Sequence, residues 1–214
     1  MRNYKIHFIR HGLTQANLEG RYIGRTDEPL CDMGYAQLQN LVEECRYPKV
    51  AKVYTSPLLR CTQTADYLYP DTQTEVVPEL LEMDMGSFEG KTPEELKEDE
   101  AFVRWLENAV DNPPPGGEGM EDFLFRLVGA FNEIFKDMME QEIFEAAVIT
   151  HGGAIMTLLA AIGLPKAPMN EWQCAGGAGY TTITSAQMWM RDRAVEVVGY
   201  QPEGIERLLA PPQD

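Results

Sequence analysis

Basic side chains are scarce in this sequence: 18 lysines and arginines stand against 34 aspartates and glutamates, for a formal charge of −16 over 214 residues. Such a surface repels the phosphate backbone of nucleic acid and an anionic lipid face, so neither is an expected partner. Acidic surfaces also serve solubility alone, and any attraction for an anionic substrate has to be local. The four cysteines, Cys31, Cys45, Cys61 and Cys174, form no C-x-x-C pair and no Cys/His cluster at metal-ligand spacing. Neither a zinc site nor a disulfide framework is signalled, and free thiols are expected. Long apolar runs are missing too. The stretch from Met1 to Arg10 has its apolar run broken by His7 and is too short for a signal-peptide core or a membrane span, so cytoplasmic residence is expected. With no internal repeat or low-complexity linker, residues 1–214 read as one domain.

The hydrophobic fraction of 44% and the charged fraction of 24% are those of an ordinary globular chain. Residues 4–9 (YKIHFI) read as a buried strand opening into Arg10-His11-Gly12. A helix is expected over about 33–45 and a strand over 50–55, with Ser56 and Pro57 as N-cap and first residue of the next helix. Arg60 then falls in that helix's first turn. A short strand follows near 74–77. The segment 90–119, with its acidic run EELKEDE and the break PPPGG, reads as an inserted helical cap rather than sheet.

Leu124, Leu127, Val128, Phe131, Ile134, Phe135 and Met138 recur at helical spacing and form a core stripe. Residues 146–150 repeat the layout of the first strand, ending in His151-Gly152-Gly153 before an apolar helix over 154–162; closing strands are expected over 180–186 and 195–200. The order is that of a three-layer α/β/α sandwich with a mostly parallel sheet, in which ligands bind beyond the C-terminal strand ends.

Two strands thus deliver His-Gly to the edge where ligands bind, and Arg10 and Arg60 reach the same edge. Glycine at position 152 lets backbone pass close to a ligand, and the N–H groups opening the following helix favour an anion. Two guanidinium forks suit the equatorial oxygens of a phosphoryl group, which points to phosphoryl transfer. A neutral imidazole, His11, can attack phosphorus, while a protonated His151 donates to the phosphoryl oxygens. Glu82, in the stretch LEMDMG, is the candidate general acid, with Asp84 and Glu79 as nearby competitors. Arg21 and Arg25 are further candidates to extend the positive pocket, and Trp105, Phe102 and Met120 to line its mouth. His7, mid-strand and without a companion motif, reads as structural.

In order along the chain stand Arg10-His11-Gly12-Leu13-Thr14 with Asn17, Asp27 with Pro29-Leu30 and Gly34, and Ser56-Pro57-Leu58 with Arg60 and Gln63-Thr64-Ala65. Glu82 with Gly86 and Glu89-Gly90, Pro115-Gly116-Gly117-Glu118 and Thr150-His151-Gly152-Gly153 complete the set. This set resembles the histidine phosphatase superfamily, also called phosphoglycerate mutase-like, in its bacterial phosphatase branch, over most of the chain. The resemblance implies a phosphohistidine on His11 and phosphate held by Arg10, Arg60, His151 and Asn17. It also implies proton transfer by Glu82, a small phosphorylated metabolite as substrate, and no metal or other cofactor.

Four positions depart from the pattern. Met83 stands where mutases carry a carboxylate-binding arginine, which favours a phosphatase. Ile23 replaces a small hydroxyl residue before Gly24, and Cys31 and Gly119 replace hydroxyl residues at helix starts. A phosphoglycerate mutase and a non-catalytic module that binds phosphorylated partners remain the alternatives. Oligomeric state and leaving group are left open.

Overall fold

The computed structural model describes residues 2–209. Strand β1 (Tyr4–Arg10) runs into the short helix α1 (Gln15–Leu18) and then α2 (Asp32–Glu44), β2 (Lys52–Thr55), α3 (Leu59–Leu68) and β3 (Thr74–Val76). Helices α4 (Pro93–Leu96) and α5 (Glu100–Glu107) precede the long α6 (Met120–Glu140), β4 (Glu145–Thr150) and α7 (Gly152–Ile162). Strand β5 (Gly163–Leu164), β6 (Gly179–Thr184), α8 (Ala186–Asp192), β7 (Val195–Gln201) and α9 (Ile205–Leu209) follow.

The seven strands lie in the order β3-β2-β4-β1-β6-β7-β5. Only β6 runs against the rest, because it pairs antiparallel with both β1 and β7 while every other pairing is parallel. Period-two alternation divides β1 between two faces. Tyr4, Ile6 and Phe8 join Leu127, Phe131 and Phe135 of α6 in the larger core. Ile9 faces the opposite way, with Val53, Ala147, Ile149 and the α3 residues Cys61 and Ala65. Helices therefore cover both faces, which makes the three layers of an α/β/α sandwich.

Register brings the strand ends together. Arg10 pairs with Thr150 across the β1–β4 ladder, and the His11 N–H donates to the Thr150 carbonyl at 3.0 Å. The residues that follow each strand, His11 and His151, are consequently neighbours. Thr55 pairs with Ile149 on the other side of β4, which sets Ser56 beside the same point.

Two local expectations fail for identifiable reasons. Helix α3 starts at Leu59, and its N-cap, Leu58, offers no side-chain bond; the Leu59 N–H donates instead to Asp27 Oδ1 at 2.7 Å. Ser56 is thereby released for other use. The closing strand β6 stops at Thr184, because Ser185 accepts from the Met188 N–H and caps α8, a helix the alternation concealed. Segment 90–119 contributes no strand; α5 packs inward through Phe102, against Phe88 and Trp105. Neither Cys31 nor Gly119 supplies a capping bond to the helix it precedes.

Candidate active site

A cavity of about 360 Å³ opens beyond the C-terminal ends of β1 and β4, at the small end of the range for small-molecule sites. Its lining includes Arg10, His11, Asn17, Arg21, Glu82 and Gly152. Arg60 and His151, 1% and 0% exposed, are not in the lining but adjoin it, the His151 ring centroid 5.3 Å from that of His11 and Arg60 Nε 3.3 Å from His151 Nδ1. These eight residues, each singled out from the sequence, therefore come to one region.

His11 follows β1 directly, and its Nδ1 lies 2.7 Å from the Gly12 carbonyl oxygen. A carbonyl only accepts, so Nδ1 carries the proton. Burial, reinforced by the Arg60 and Arg10 charges, holds the imidazole well below the ordinary histidine pKa of 6.5. The ring is neutral at pH 7, and Nε2 keeps its lone pair. The Gly12 N–H donates to Thr64 Oγ1, which itself donates to the Arg60 carbonyl, so the loop after β1 is fastened to α3.

Arg60 is locked by three donations: Nη1 to the Thr26 carbonyl, Nη2 to the Gly24 carbonyl and Nε to His151 Nδ1 at 3.3 Å. That last contact makes Nδ1 an acceptor, so Nε2 of His151 is the protonated nitrogen and donates to Ser56 Oγ at 2.8 Å. Burial and the neighbouring His11, Arg60, Arg10 and Arg126 all lower its pKa, well below 6.5. The expected protonated His151 is thus corrected to a neutral one, since the site already holds two permanent cations. Any second proton has to come with a bound dianion.

Arg10 donates from Nη1 to the Cys174 carbonyl at 2.9 Å, while its buried Nε has no partner among the described residues. A buried donor without a partner beside a cavity is the signature of a site made for an anion. Gly152 lies against this guanidinium, and a Cβ there would come within 3.3 Å of Arg10 Nε.

Glu82 is buried against the start of α7. Its Oε2 accepts from the Gly153 N–H and its Oε1 from the Met83 N–H, each at 2.9 Å. The anion-favouring helix start expected to cradle phosphate therefore holds the Glu82 carboxylate. Burial nevertheless raises its pKa, against the N–H bonds and the Arg60 and Arg10 charges that lower it. A Cβ at position 153 would sit 2.6 Å from Glu82 Oε1, so any larger residue here displaces the carboxylate. The competing carboxylates are occupied elsewhere: Asp84 Oδ1 accepts from the Gly86 N–H, and Glu79 lies on a different groove.

Asn17 has a double position. Its Oδ1 accepts from the Thr14 N–H in a capping box, leaving the amide N–H₂ to serve a ligand. Arg21 reaches the cavity but donates to Glu19 at 2.7 Å, Glu95 at 3.0 Å and the Gly90 carbonyl, so it does not extend the positive pocket as expected. Arg25 is turned to Glu118. Trp105, Phe102 and Met120 are not in the lining; the first two pack edge-on against Tyr22, and it is Tyr22, with Ile23, Met156, Gln173 and Cys174, that completes the wall. His7 sits outside the cavity, bonded to Thr181 Oγ1 and Glu145.

Sequence reading missed Arg126. From the first half of α6 it donates to the carbonyls of Glu79, Leu81 and Glu82 and pairs with both Glu118 oxygens. It clamps the segment that carries Glu82. A lone arginine on an amphipathic helix gives no sequence signal of that kind; only the carbonyls facing it do.

The description "Histidine phosphatase superfamily (branch 1)" matches residues 6–199. A protein of Hydrogenobacter thermophilus provisionally named phosphoserine phosphatase 2 is 36% identical over 84% of this chain and 88% of its own length. The adenosylcobalamin/alpha-ribazole phosphatase of Escherichia coli is 31% identical over 77% and 82% of the two chains. Among solved structures, the alpha-ribazole phosphatase of Shigella flexneri superposes with a TM-score of 0.73 at 27% identity, covering 91% of this chain and 94% of its own. The chain belongs to the histidine phosphatase superfamily.

Proposed function

We propose that this chain is a phosphatase that hydrolyses a small phosphomonoester in two steps through a phosphohistidine on His11. In the first step His11 Nε2 forms a bond to phosphorus as the P–O bond to the alcohol breaks, and Glu82 gives its proton to the departing oxygen. In the second, Glu82 takes a proton from water, the water oxygen bonds to phosphorus, and the N–P bond breaks to release phosphate. Arg10, Arg60, the Asn17 amide and the backbone at Gly152 hold the phosphoryl oxygens, joined by His151 once it takes up a second proton with the bound dianion.

The observation that carries this reading is the pairing of a neutral His11, its Nδ1–H tied to a carbonyl, with a buried carboxyl of raised pKa in the same cavity. Environments that push two titratable groups in opposite directions separate the base from the acid. Two guanidinium groups supply the charge compensation that a metal gives elsewhere, so the reaction is assigned no metal. Met83, buried in the apolar core, favours release of the phosphoryl group to water over its return to product. We place the enzyme in the cytoplasm, where phosphorylated metabolites, too charged to cross a bilayer unaided, are held. It is taken as one domain with segment 90–119 as an inserted cap.

The test is hydrolysis of p-nitrophenyl phosphate in excess chelator by the intact protein and by His11→Ala. Chelator-resistant turnover that the substitution abolishes supports the mechanism. Turnover surviving in His11→Ala removes His11 as nucleophile, and phosphate binding without turnover in the intact protein selects the binding-module alternative.

A further inference from the structure

The wall around the phosphoryl position separates into cations that face phosphate and a mouth in which every charge has a partner. Arg21 is the one basic residue in the lining beyond Arg10, and its guanidinium is shared between Glu19 and Glu95, one cation against two anions. The adjoining cap is anionic as a whole. Residues 90–119 carry three basic and eight acidic side chains. Two of those cations are already spent, Lys97 on Glu94 and Arg104 on Glu100, and Lys91 is absent from the cavity lining.

The remainder of the mouth is uncharged. Ile23 and Met156 offer apolar surface, and Tyr22 is held edge-on by Phe102 and Trp105, so its ring is a fixed wall rather than a mobile cover. Gln173 supplies an amide able to donate to and accept from a hydroxyl. A carboxylate brought here would be desolvated beside a net negative charge, with no free cation to receive it.

From this wall we infer that the alcohol released is uncharged, with hydroxyl groups and an apolar or aromatic face, and that the site discriminates against phosphomonoesters bearing a carboxylate. The inference rests on the phosphatase reading and narrows it. It sets this chain apart from its relative named for phosphoserine, whose substrate carries a carboxylate beside the phosphate. Glu19 and Glu95 are the discriminating charges, and Tyr22 is the aromatic contact.

Glycerol 3-phosphate and 3-phosphoglycerate share a skeleton and differ by a hydroxymethyl group against a carboxylate, so their ratio of kcat/KM isolates the charge; benzyl phosphate adds an apolar face. We expect benzyl phosphate to be the best of the four, and glycerol 3-phosphate to exceed 3-phosphoglycerate and O-phosphoserine by about fivefold to tenfold, the modest factor that exposed charges at a mouth exert. Glu19→Gln alone, and Glu19→Gln with Glu95→Gln, should narrow that gap by roughly threefold to tenfold, as removal of nearby surface charge does. Tyr22→Ala should raise KM for benzyl phosphate more than for glycerol 3-phosphate. Equal or better hydrolysis of the carboxylated esters overturns the inference while leaving the phosphatase intact, as does a ratio that neither glutamate variant moves. Turnover of none of the esters by the intact protein sinks the phosphatase reading itself, a result distinct from a wrong preference.

Discussion

The two halves of the cavity are built in opposite ways. On the phosphoryl side, Arg60 and His151 are fully buried, each hydrogen-bonded from more than one direction, and glycines at 152 and 153 let the Arg10 guanidinium and the Glu82 carboxylate lie close against the backbone. On the leaving-group side, Arg21 is one-third exposed and its partners are exposed carboxylates. The difference teaches which energies each half uses. Preorganised, water-excluded charges act strongly on a transition state, while solvated ion pairs of the mouth shift preference between substrates by small factors.

The strongest way to break the comparison is to remove the acid. Glu82→Gln keeps an acceptor oxygen for only one of the two backbone N–H groups and cannot give a proton to the leaving oxygen, so hydrolysis of alkyl phosphates should fall by about 10²–10⁴. Aryl phosphates, whose leaving groups need no proton, should lose far less, and equal losses on both would remove Glu82 from the acid role. In the intact enzyme the same groups set the pH profile. His11 must be neutral and Glu82 protonated, so activity should decline on the alkaline side as Glu82 ionises and stay high well below pH 6.5, where a solvent-exposed histidine would already be protonated.

Displacing the acid without deleting it is the next test. A Cβ at position 153 would overlap Glu82 Oε1. Gly153→Ala should therefore cut kcat for alkyl phosphates by about 10²-fold, the effect of moving a catalytic group by an ångström, with KM little changed. A comparable rise in KM would mean that the helix start serves phosphate binding after all. Arg126 should act through Glu82 more weakly. Arg126→Gln removes the clamp on the Glu79, Leu81 and Glu82 carbonyls, and the ratio of aryl to alkyl turnover should rise by about tenfold. A purely structural role would depress both substrates alike.

Much of the phosphoryl half was legible because its residues sit at strand ends marked by His-Gly pairs, and register does the rest: Arg10 opposite Thr150 makes His11 and His151 neighbours. Several motif residues outside the cavity turn out to be braces. Asp27 caps α3, Gln63 accepts from the Leu30 N–H, and Glu89 accepts from the Gly24 and Thr26 N–H groups, which fixes the loop whose carbonyls hold Arg60. What stayed hidden depends on contacts between distant segments. Ser56 read as a helix cap because Ser-Pro has that local signature, yet its hydroxyl accepts from His151, which follows another strand. The neutral state of His151 and the neutralised Arg21 were equally out of reach, since both follow from which charges the fold gathers around them. The aromatic residues of the cap gave a pattern of spacing but not of direction, and Tyr22, not Trp105, faces the substrate position.

The smallest expected effect is on stability, and it separates the two histidines from the acid. His11 and His151 are held neutral in the folded state, whereas an unfolded chain protonates them near pH 6.5. The unfolded state then binds more protons, so stability is fully present above about pH 6.5 and is lost as pH falls, at up to about 1.4 kcal/mol per pH unit for each histidine. Glu82, with a raised pKa, has the opposite sign: its contribution is complete below its ordinary value of 4.5 and is lost as pH rises through the folded value. Urea denaturation between pH 7 and pH 5 should therefore show falling stability. The slope should be shallower in His151→Asn, which removes one proton acceptor from the unfolded state, and steeper in Glu82→Gln, which removes the opposing group. A stability that does not change over this range in Glu82→Gln, where that carboxyl no longer opposes the histidines, would mean that the histidines are charged in the folded protein, and with that the neutral nucleophile would be lost as well.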